Sequence, residues 1–259
     1  MNIILKYCNY YLFAKSKKGH GIHSPFVFDF VRNVLNDKNQ YEDYFQIEKI
    51  RDSLLQNKTF IDVSDYGAGS KKTTSSKRQI SGIIRNSSQK KKYAWLLYRI
   101  VRYYKPEKIL ELGTSVGITT LYLAKANNQG KVITVEGCPA LSDIACKNFL
   151  DSNANNIVLI NEKFESYLKK IKDDDKFDII YIDGNHKKKP TLEYFYSLIN
   201  HVHDKSICIF DDIYWSDEMY EAWQEIINSK KIVASIDLFK LGLVFFDKSI
   251  TPGKYMIRY

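Results

Sequence analysis

Two apolar runs in this chain end on carboxylates. "FDIIYIDGNHKKKP" (177–190) places Asp183 after one run, and "SICIFDDIYW" (206–215) places Asp211 and Asp212 after another. If both runs are buried strands of one parallel sheet, the three acids gather at the strand tips, where such sheets take their ligands. Like charges crowded there repel unless a cation neutralises them or a proton stays on. An all-oxygen donor set with open positions suits Mg²⁺, Mn²⁺ or Ca²⁺ better than zinc. Asp183, Asp211 and Asp212 are therefore candidate metal ligands. The plain alternative is a turn residue followed by an ordinary acidic loop. His186 lies three residues past Asp183. An unperturbed imidazole titrates near about 6.5, which suits a general base at neutral pH. Its alternatives are a polar loop residue or a metal ligand in place of Asp212. Lys187, Lys188 and Lys189 follow at once and either attract an acidic acceptor or solvate the loop. Tyr214 and Trp215 fit an aromatic wall beside an acceptor, or the core.

Elements that would position these groups are legible from about residue 106. β-rich runs alternate with helical ones: "EKILELG", "KVITVEG", "NIVLI", "FDIIYID" and "SICIFDD" are each followed by a helical pattern. Pro139 suits the first turn of one of these helices and Ser216 the N-cap of another. "KIVASIDLF" and "LGLVFFD" then follow as a hairpin. Five βα crossovers make the first five strands parallel, and the hairpin adds one antiparallel strand. The expected fold is α/β: a Rossmann-like, doubly wound sheet of seven strands. Helices are expected over "SPFVFDFVRNVLND", capped by Ser24, over "YEDYFQIEKIRDSLLQN" and over "KYAWLLYRIVRYY". The resulting division is an N-terminal helical cap with a basic loop over 1–88 and a catalytic domain over 89–259.

The stretch "ILELGTSVGITTL" reads as strand, glycine turn and helix. Gly113 and Gly117 let the backbone approach a ligand at a helix N-terminus. Their G-x-x-x-G spacing is not the G-x-G-x-x-G that cradles a pyrophosphate, which disfavours a nicotinamide oxidoreductase. Glu136 ends the second strand, where doubly wound folds set an acid against ribose hydroxyls. A ribose without a pyrophosphate points to an adenosyl ligand. "DYGAGSKKTTS" (65–75) mimics a phosphate loop but lacks the G-x-x-x-x-G-K-[ST] spacing.

Residues 89–249 resemble the class I S-adenosylmethionine-dependent methyltransferases. "LELGTSVGITTLYLA" is similar to the first motif of the metal-dependent O-methyltransferases of the catechol and caffeoyl-CoA kind. "HGIHSPFVFDF" and the paired "IDGNH…FDDIYWS" also resemble a bacterial methyltransferase-like group. The resemblance implies an S-adenosyl-L-methionine site at Glu111, Gly113, Thr114, Ser115, Gly117, Glu136, Gly137 and Asp183. Within it Glu111 lies near the methionine end and Glu136 holds the ribose. It also implies a divalent metal, Mg²⁺ or alternatively Mn²⁺ or Ca²⁺, on Asp183, Asp211 and Asp212. Asp212 departs from the family's Asn and adds a negative charge. His186 stands where the catechol-type enzymes carry a Lys. The implied reaction is methyl transfer to the hydroxyl of a small-molecule acceptor.

The chain has 259 residues and a net charge of +9, which is unevenly placed. Residues 1–105 carry +12 and residues 106–259 carry −3. The basic part suits an anionic acceptor, an acidic membrane surface met by the N-terminus, or nucleic acid. Nucleic-acid modification or binding is therefore the rival reading, weakened by the absence of a recognisable base-methylation motif. His20 and His23 in "GHGIHSPF" fit either a lid over the site or a capping turn. No apolar run approaches the length of a spanning helix. Four scattered cysteines without a C-x-x-C pair suit reduced thiols in a cytoplasm.

Overall fold

The computed structural model describes residues 3–19, 21–64 and 77–259. His20 and the glycine- and serine-rich stretch from 65 to 76, including the phosphate-loop mimic, lie outside them. The helices are α1 (Ile3–Phe13), α2 (Pro25–Phe30), α3 (Glu42–Gln56), α4 (Ile80–Ser87) and α5 (Lys91–Tyr104). They continue as α6 (Ile118–Ala126), α7 (Pro139–Asp151), α8 (Phe164–Leu168), α9 (Lys188–Leu198) and α10 (Asp217–Ile227). The strands are β1 (Phe60–Asp62), β2 (Lys77–Gln79), β3 (Lys108–Leu112), β4 (Lys131–Val135) and β5 (Ile157–Ile160). After these come β6 (Ile179–Ile182), β7 (Ile207–Phe210), β8 (Ala234–Asp237), β9 (Gly242–Phe245) and β10 (Gly253–Met256).

The chain divides into two compact units. The first joins Met1–Asp37 to Ile171–Tyr259, and the second is Lys38–Lys170. Among the described residues the main-sheet strands number eight: the first unit holds five, in the order β10-β8-β9-β7-β6, and the second holds three, in the order β3-β4-β5. That is one more than the seven expected. The extra strand is β10, which pairs parallel to β8. It follows Pro252 and is short, so its sequence reads as a tail. The five βα strands and the β8–β9 hairpin form as expected.

In the first unit β6 pairs parallel to β7, and β9 runs antiparallel to both β7 and β8. All four residues of β6, β7, β8 and β9 are buried. Strands covered on both faces carry unbroken apolar runs, which is why 179–182 and 207–210 show no alternation. Trp223 packs its ring at 6.1 Å from that of Phe210 and fills the space over Gly242. Ser24 caps α2 by accepting from the Val27 amide at 3.3 Å, and Ser216 caps α10 by accepting from the Met219 amide at 3.1 Å. The helix begun by α2 does not stay α-helical to residue 37. Over Val31–Leu35 it widens into a π turn, with the Asn36 amide donating to the Val31 carbonyl at 3.0 Å. That turn buries Val31, Val34 and Leu35 together.

Helix α1 has an inverted burial pattern. Ile3, Ile4, Leu5, Leu12 and Phe13 are exposed, while Lys6 and Tyr10 are buried. Lys6 Nζ lies 2.7 Å from Asp217 Oδ1 and donates to the Ser216 carbonyl at 3.1 Å. Among the described residues no helix is long and apolar enough to cross a membrane.

In the second unit β3, β4 and β5 are parallel, with β4 between the other two. Pro139 opens α7 as expected. A cluster of α3, α5 and α6 aromatics forms much of the core. Tyr44 stacks on Trp95 at 4.4 Å, and the Tyr98 and Tyr122 hydroxyls donate to Asp43 and Glu48 at 2.6 Å each. Two short strands, β1 and β2, form a separate antiparallel pair.

Two glycine-to-alanine changes should move stability in opposite directions. A Cβ on Gly242 would lie 2.6 Å from a Trp223 ring carbon, whereas no atom of the described residues lies within 4 Å of one on Gly82 in α4. In urea unfolding, Gly242→Ala is expected to cost about 1–3 kcal/mol by overpacking. Gly82→Ala is expected to gain about 0.5–1 kcal/mol from lower backbone entropy in the unfolded chain.

Candidate functional site

In the second unit the turn after β3 is shaped by backbone that favours glycine. Gly113, Ser115 and Gly117 have φ of 114°, 50° and 83°. The Gly113 and Thr114 amides both donate to the Val135 carbonyl, at 3.0 and 3.3 Å, which ties the turn to the end of β4. A Cβ on Gly117 would lie 2.5 Å from a Phe149 ring carbon, so both angle and space require glycine there.

Glu111, inside β3, is fully buried. Its Oε2 accepts from Thr120 Oγ1 at 2.5 Å and from Thr134 Oγ1 at 2.6 Å. Among the described residues its Oε1 is buried with no hydrogen-bond partner. Burial pushes this carboxyl up to about 7; the two threonine hydroxyls oppose the rise and the Glu136 charge adds to it. Thr114 points its hydroxyl inward, 2.5 Å from Thr134 Oγ1. Glu136 stands just past β4 and is half-buried. Its Oε2 accepts from the Ser115 amide at 2.8 Å and its Oε1 from the Cys138 amide at 2.9 Å. Glu136 therefore braces the glycine turn as well as standing where a ribose acid is expected. The second unit thus brings Glu111, Gly113, Thr114, Ser115, Gly117, Glu136 and Gly137 to the carboxyl ends of β3 and β4.

The first unit brings Asp183, His186, Asp211 and Asp212 to the carboxyl ends of β6 and β7. Asp211 is 4% exposed at its side chain. Asp212 has a φ of 54°, a left-handed conformation at the turn out of β7. Asp183 Oδ2 accepts from the Tyr181 hydroxyl at 2.9 Å, and its Oδ1 lies 3.6 Å from His186 Nε2. Burial pushes Asp183 up to about 6; the Lys240 charge opposes this, the Asp212 charge adds to it, and hydrogen bonds from Tyr181 and Asp211 oppose it. Asp211 is held well above the usual carboxylate range, first by burial and then by the charges of Asp183 and Asp212. The expected crowding of acids is therefore present.

Lys240, which sequence reasoning missed, supplies the cation. Its Nζ lies 3.0 Å from Asp211 Oδ2 and 2.5 Å from Asp212 Oδ1. Burial opposes the charge on Lys240, but Asp211, Asp212 and Asp183 outweigh it and hold the ammonium well above its ordinary range. The acids do not fit a divalent ion as expected, because an ammonium already takes one oxygen of each member of the Asp pair. Among the described residues no group of three His, Cys, Asp or Glu side chains is placed to hold a metal.

Tyr214 belongs to the core rather than to an acceptor wall. It is 6% exposed, stacks on Phe239 at 4.6 Å and donates to Asp237 Oδ2 at 2.9 Å. Trp215 is 48% exposed. His23 is exposed, just before the α2 cap. All four cysteines are free thiols.

A protein family described as a methyltransferase domain matches residues 110–213. An S-adenosylhomocysteine-bound methyltransferase from Podospora anserina shares 12% identity over 86% of this chain and 97% of its own, with a TM-score of 0.60. An O-methyltransferase from Bacillus cereus, in complex with S-adenosylhomocysteine, shares 17% over 85% and 97%, with a TM-score of 0.56. The Streptomyces achromogenes O-methyltransferase involved in tomaymycin synthesis, in complex with S-adenosylmethionine, shares 16% over 62% and 82%, at 0.55. No curated protein matches the sequence. At these identities the likenesses speak for the fold alone. The segment that matches the methyltransferase-domain family runs from the middle of β3 to just past the Asp211–Asp212 pair.

Proposed function

We propose that the chain transfers a methyl group from S-adenosylmethionine to the hydroxyl of a small-molecule acceptor. The observation that carries this reading is Glu111 Oε1, a buried oxygen beside the glycine turn with no partner among the described residues. A buried acceptor left unpaired costs roughly 1–3 kcal/mol. The ammonium of the cofactor's methionine end is a donor that would remove that cost. When bound, S-adenosylmethionine supplies an electrophilic methyl on a sulfonium. Glu111 then binds the ammonium as a carboxylate. Glu136 accepts from ribose hydroxyls beside the Ser115 and Cys138 amides that already donate to it. Gly113 and Gly117 admit the ligand close to the backbone.

His186 takes the proton from the acceptor hydroxyl. Asp183, 3.6 Å away, orients the imidazole and steadies the imidazolium that forms. Lys187, Lys188 and Lys189 beside it favour an anionic acceptor. The metal expected from sequence has no part in this reading, because Lys240 stands on the acids that would bind it. The nucleic-acid alternative draws no support from the comparisons.

Calorimetry with S-adenosylhomocysteine tests the cofactor. Binding is expected for the wild type, with little for NAD. Glu136→Ala should lose about 1.5–3 kcal/mol of affinity for each charged hydrogen bond to the ribose. Affinity unchanged in that variant would remove the ribose assignment. Near pH 6.5 the ligand's ammonium should also drive a proton off Glu111. Titrations in buffers of different ionisation enthalpy should show proton release in the wild type and its loss in Glu111→Gln.

Without ligand, Glu111 should leave a mark on stability. Its folded-state pKa of about 7 lies above the unfolded value of 4.5. The folded chain therefore keeps a proton that the unfolded chain releases. That contribution is fully present below about pH 4.5 and is lost as pH rises through about 7. It amounts to about 3 kcal/mol. Asp183 and Asp237 also titrate near 6, so the readout is the difference between wild type and Glu111→Gln across this window. A difference that does not change with pH would show that Glu111 is ionised in the free protein.

His186→Ala should leave S-adenosylhomocysteine affinity unchanged. It should slow methyl transfer to a responsive acceptor, found on a panel of phenols and sugars, by about 10²–10⁴. Full activity in that variant would exclude His186 as the base.

A further inference from the structure

We propose that Lys240 is the resident cation of the Asp183–Asp211–Asp212 cluster, so that this chain binds no divalent metal at its strand tips. The ammonium sits 3.0 Å from Asp211 Oδ2 and 2.5 Å from Asp212 Oδ1, on two of the carboxylates that would be expected to hold a metal. Its side chain is 19% exposed and the Asp211 carboxylate 4%, so water does little to screen the contact.

The fold fixes this lysine; it does not merely reach in. Lys240 lies in the tight turn between β8 and β9. In that turn Leu238 N donates to Leu241 O at 2.9 Å, and Lys240 N donates to Leu238 O at 2.8 Å. Asp237 Oδ1 accepts from Phe239 N at 2.8 Å, holding Phe239 at a φ of 67°. Phe239 is stacked on Tyr214, which follows the acid pair by two residues. The Ile213 amide also donates to the Lys240 carbonyl at 3.3 Å. The segment that bears the acids and the turn that bears the cation are therefore hydrogen-bonded to each other through the backbone.

Charge balance explains an otherwise odd residue. The related O-methyltransferases are expected to carry Asn where this chain has Asp212. The additional carboxylate here is matched by an additional ammonium, at 2.5 Å. A divalent ion entering the cluster would meet that ammonium as a like charge on the same oxygens. Lys240 acts here as a positioning residue: it holds the acids together and leaves Asp183 to orient His186. This rests on the proposed methyl transfer only for its catalytic consequence, which is turnover in the presence of a chelator.

The test is a Mn²⁺ titration of the full chain, read by electron paramagnetic resonance of the free ion. The wild type is expected to bind no Mn²⁺ with a dissociation constant below about 1 mM, the weak end of protein carboxylate sites. Lys240→Met uncovers the acids and should tighten Mn²⁺ binding by at least about tenfold. A lysine that only stabilised the turn would give no such gain. Lys240→Gln, which keeps a polar group for the buried oxygens, serves if the Met variant does not fold. Wild-type Mn²⁺ binding below about 1 mM overturns the proposal. So does a folded Lys240 variant that gains no affinity. S-adenosylhomocysteine calorimetry on the same samples separates the two readings: its failure would sink the methyltransferase proposal, whereas the Mn²⁺ result decides the lysine by itself.

Discussion

Burying a carboxylate without water costs more than most single packing contacts return, unless donors or a cation meet it. This chain buries Glu111, Asp211 and Asp237 at or beside the ends of its strands. Much of the local architecture consists of the ways in which they are met. Asp237 takes the Tyr214 hydroxyl at 2.9 Å, the Trp223 indole at 3.3 Å and the Phe239 amide at 2.8 Å. These three donors shape the β8–β9 turn, and the turn places Lys240. Lys240 in turn meets Asp211. One buried acid is thus satisfied in a way that supplies the cation for another. Loss of the Asp237 donors should therefore be felt at the strand tips, through the turn rather than through direct contact.

The same turn explains why α1 buries its polar side. Phe239 is met by the rings of Tyr7 and Tyr10 at 5.0 and 5.2 Å, and Tyr10 donates to the Ile257 carbonyl. Lys6 is drawn down to Asp217 in the first turn of α10, where an acid is also favoured by the helix dipole. Aromatic and ionic anchors select the face of α1 that packs. Its aliphatic residues face outward as a consequence, against the ordinary hydrophobic rule.

The strands were legible because burial on both faces leaves continuous apolar runs, and because glycine and proline mark their ends. Caps at Ser24 and Ser216 were legible for the same local reason. The carboxylates at 183, 211 and 212 could be placed together once the strands were taken as parallel. Their partner could not. Lys240 is separated from Asp211 by a helix and a strand, and no periodicity links the two. The available hints were a lysine in a tight turn between two buried strands and an Asp where the resemblance leads one to expect Asn. β10 was missed because four residues after Pro252 carry too little pattern. The bracing role of Glu136 is not legible in sequence, because its bonds to the Ser115 and Cys138 amides depend on the shape of two turns.

The two units differ in how completely their acids are satisfied, and that difference bears on where a ligand is needed. In the first unit Asp183, Asp211 and Asp212 each have a donor or a cation from the chain itself. A cluster satisfied in this way needs nothing from solution in order to stay folded. In the second unit Glu111 has two threonine donors on one oxygen, and its other oxygen is buried with no partner among the described residues. The fold could have closed over this group with an apolar side chain at lower cost. Keeping a half-satisfied carboxyl, pushed up to about 7 by its burial, makes sense where a cationic donor arrives and pulls the proton away. Recognition by Glu111 is then coupled to proton release. Discrimination would follow from the same oxygen, because a ligand lacking the ammonium leaves it unpaired.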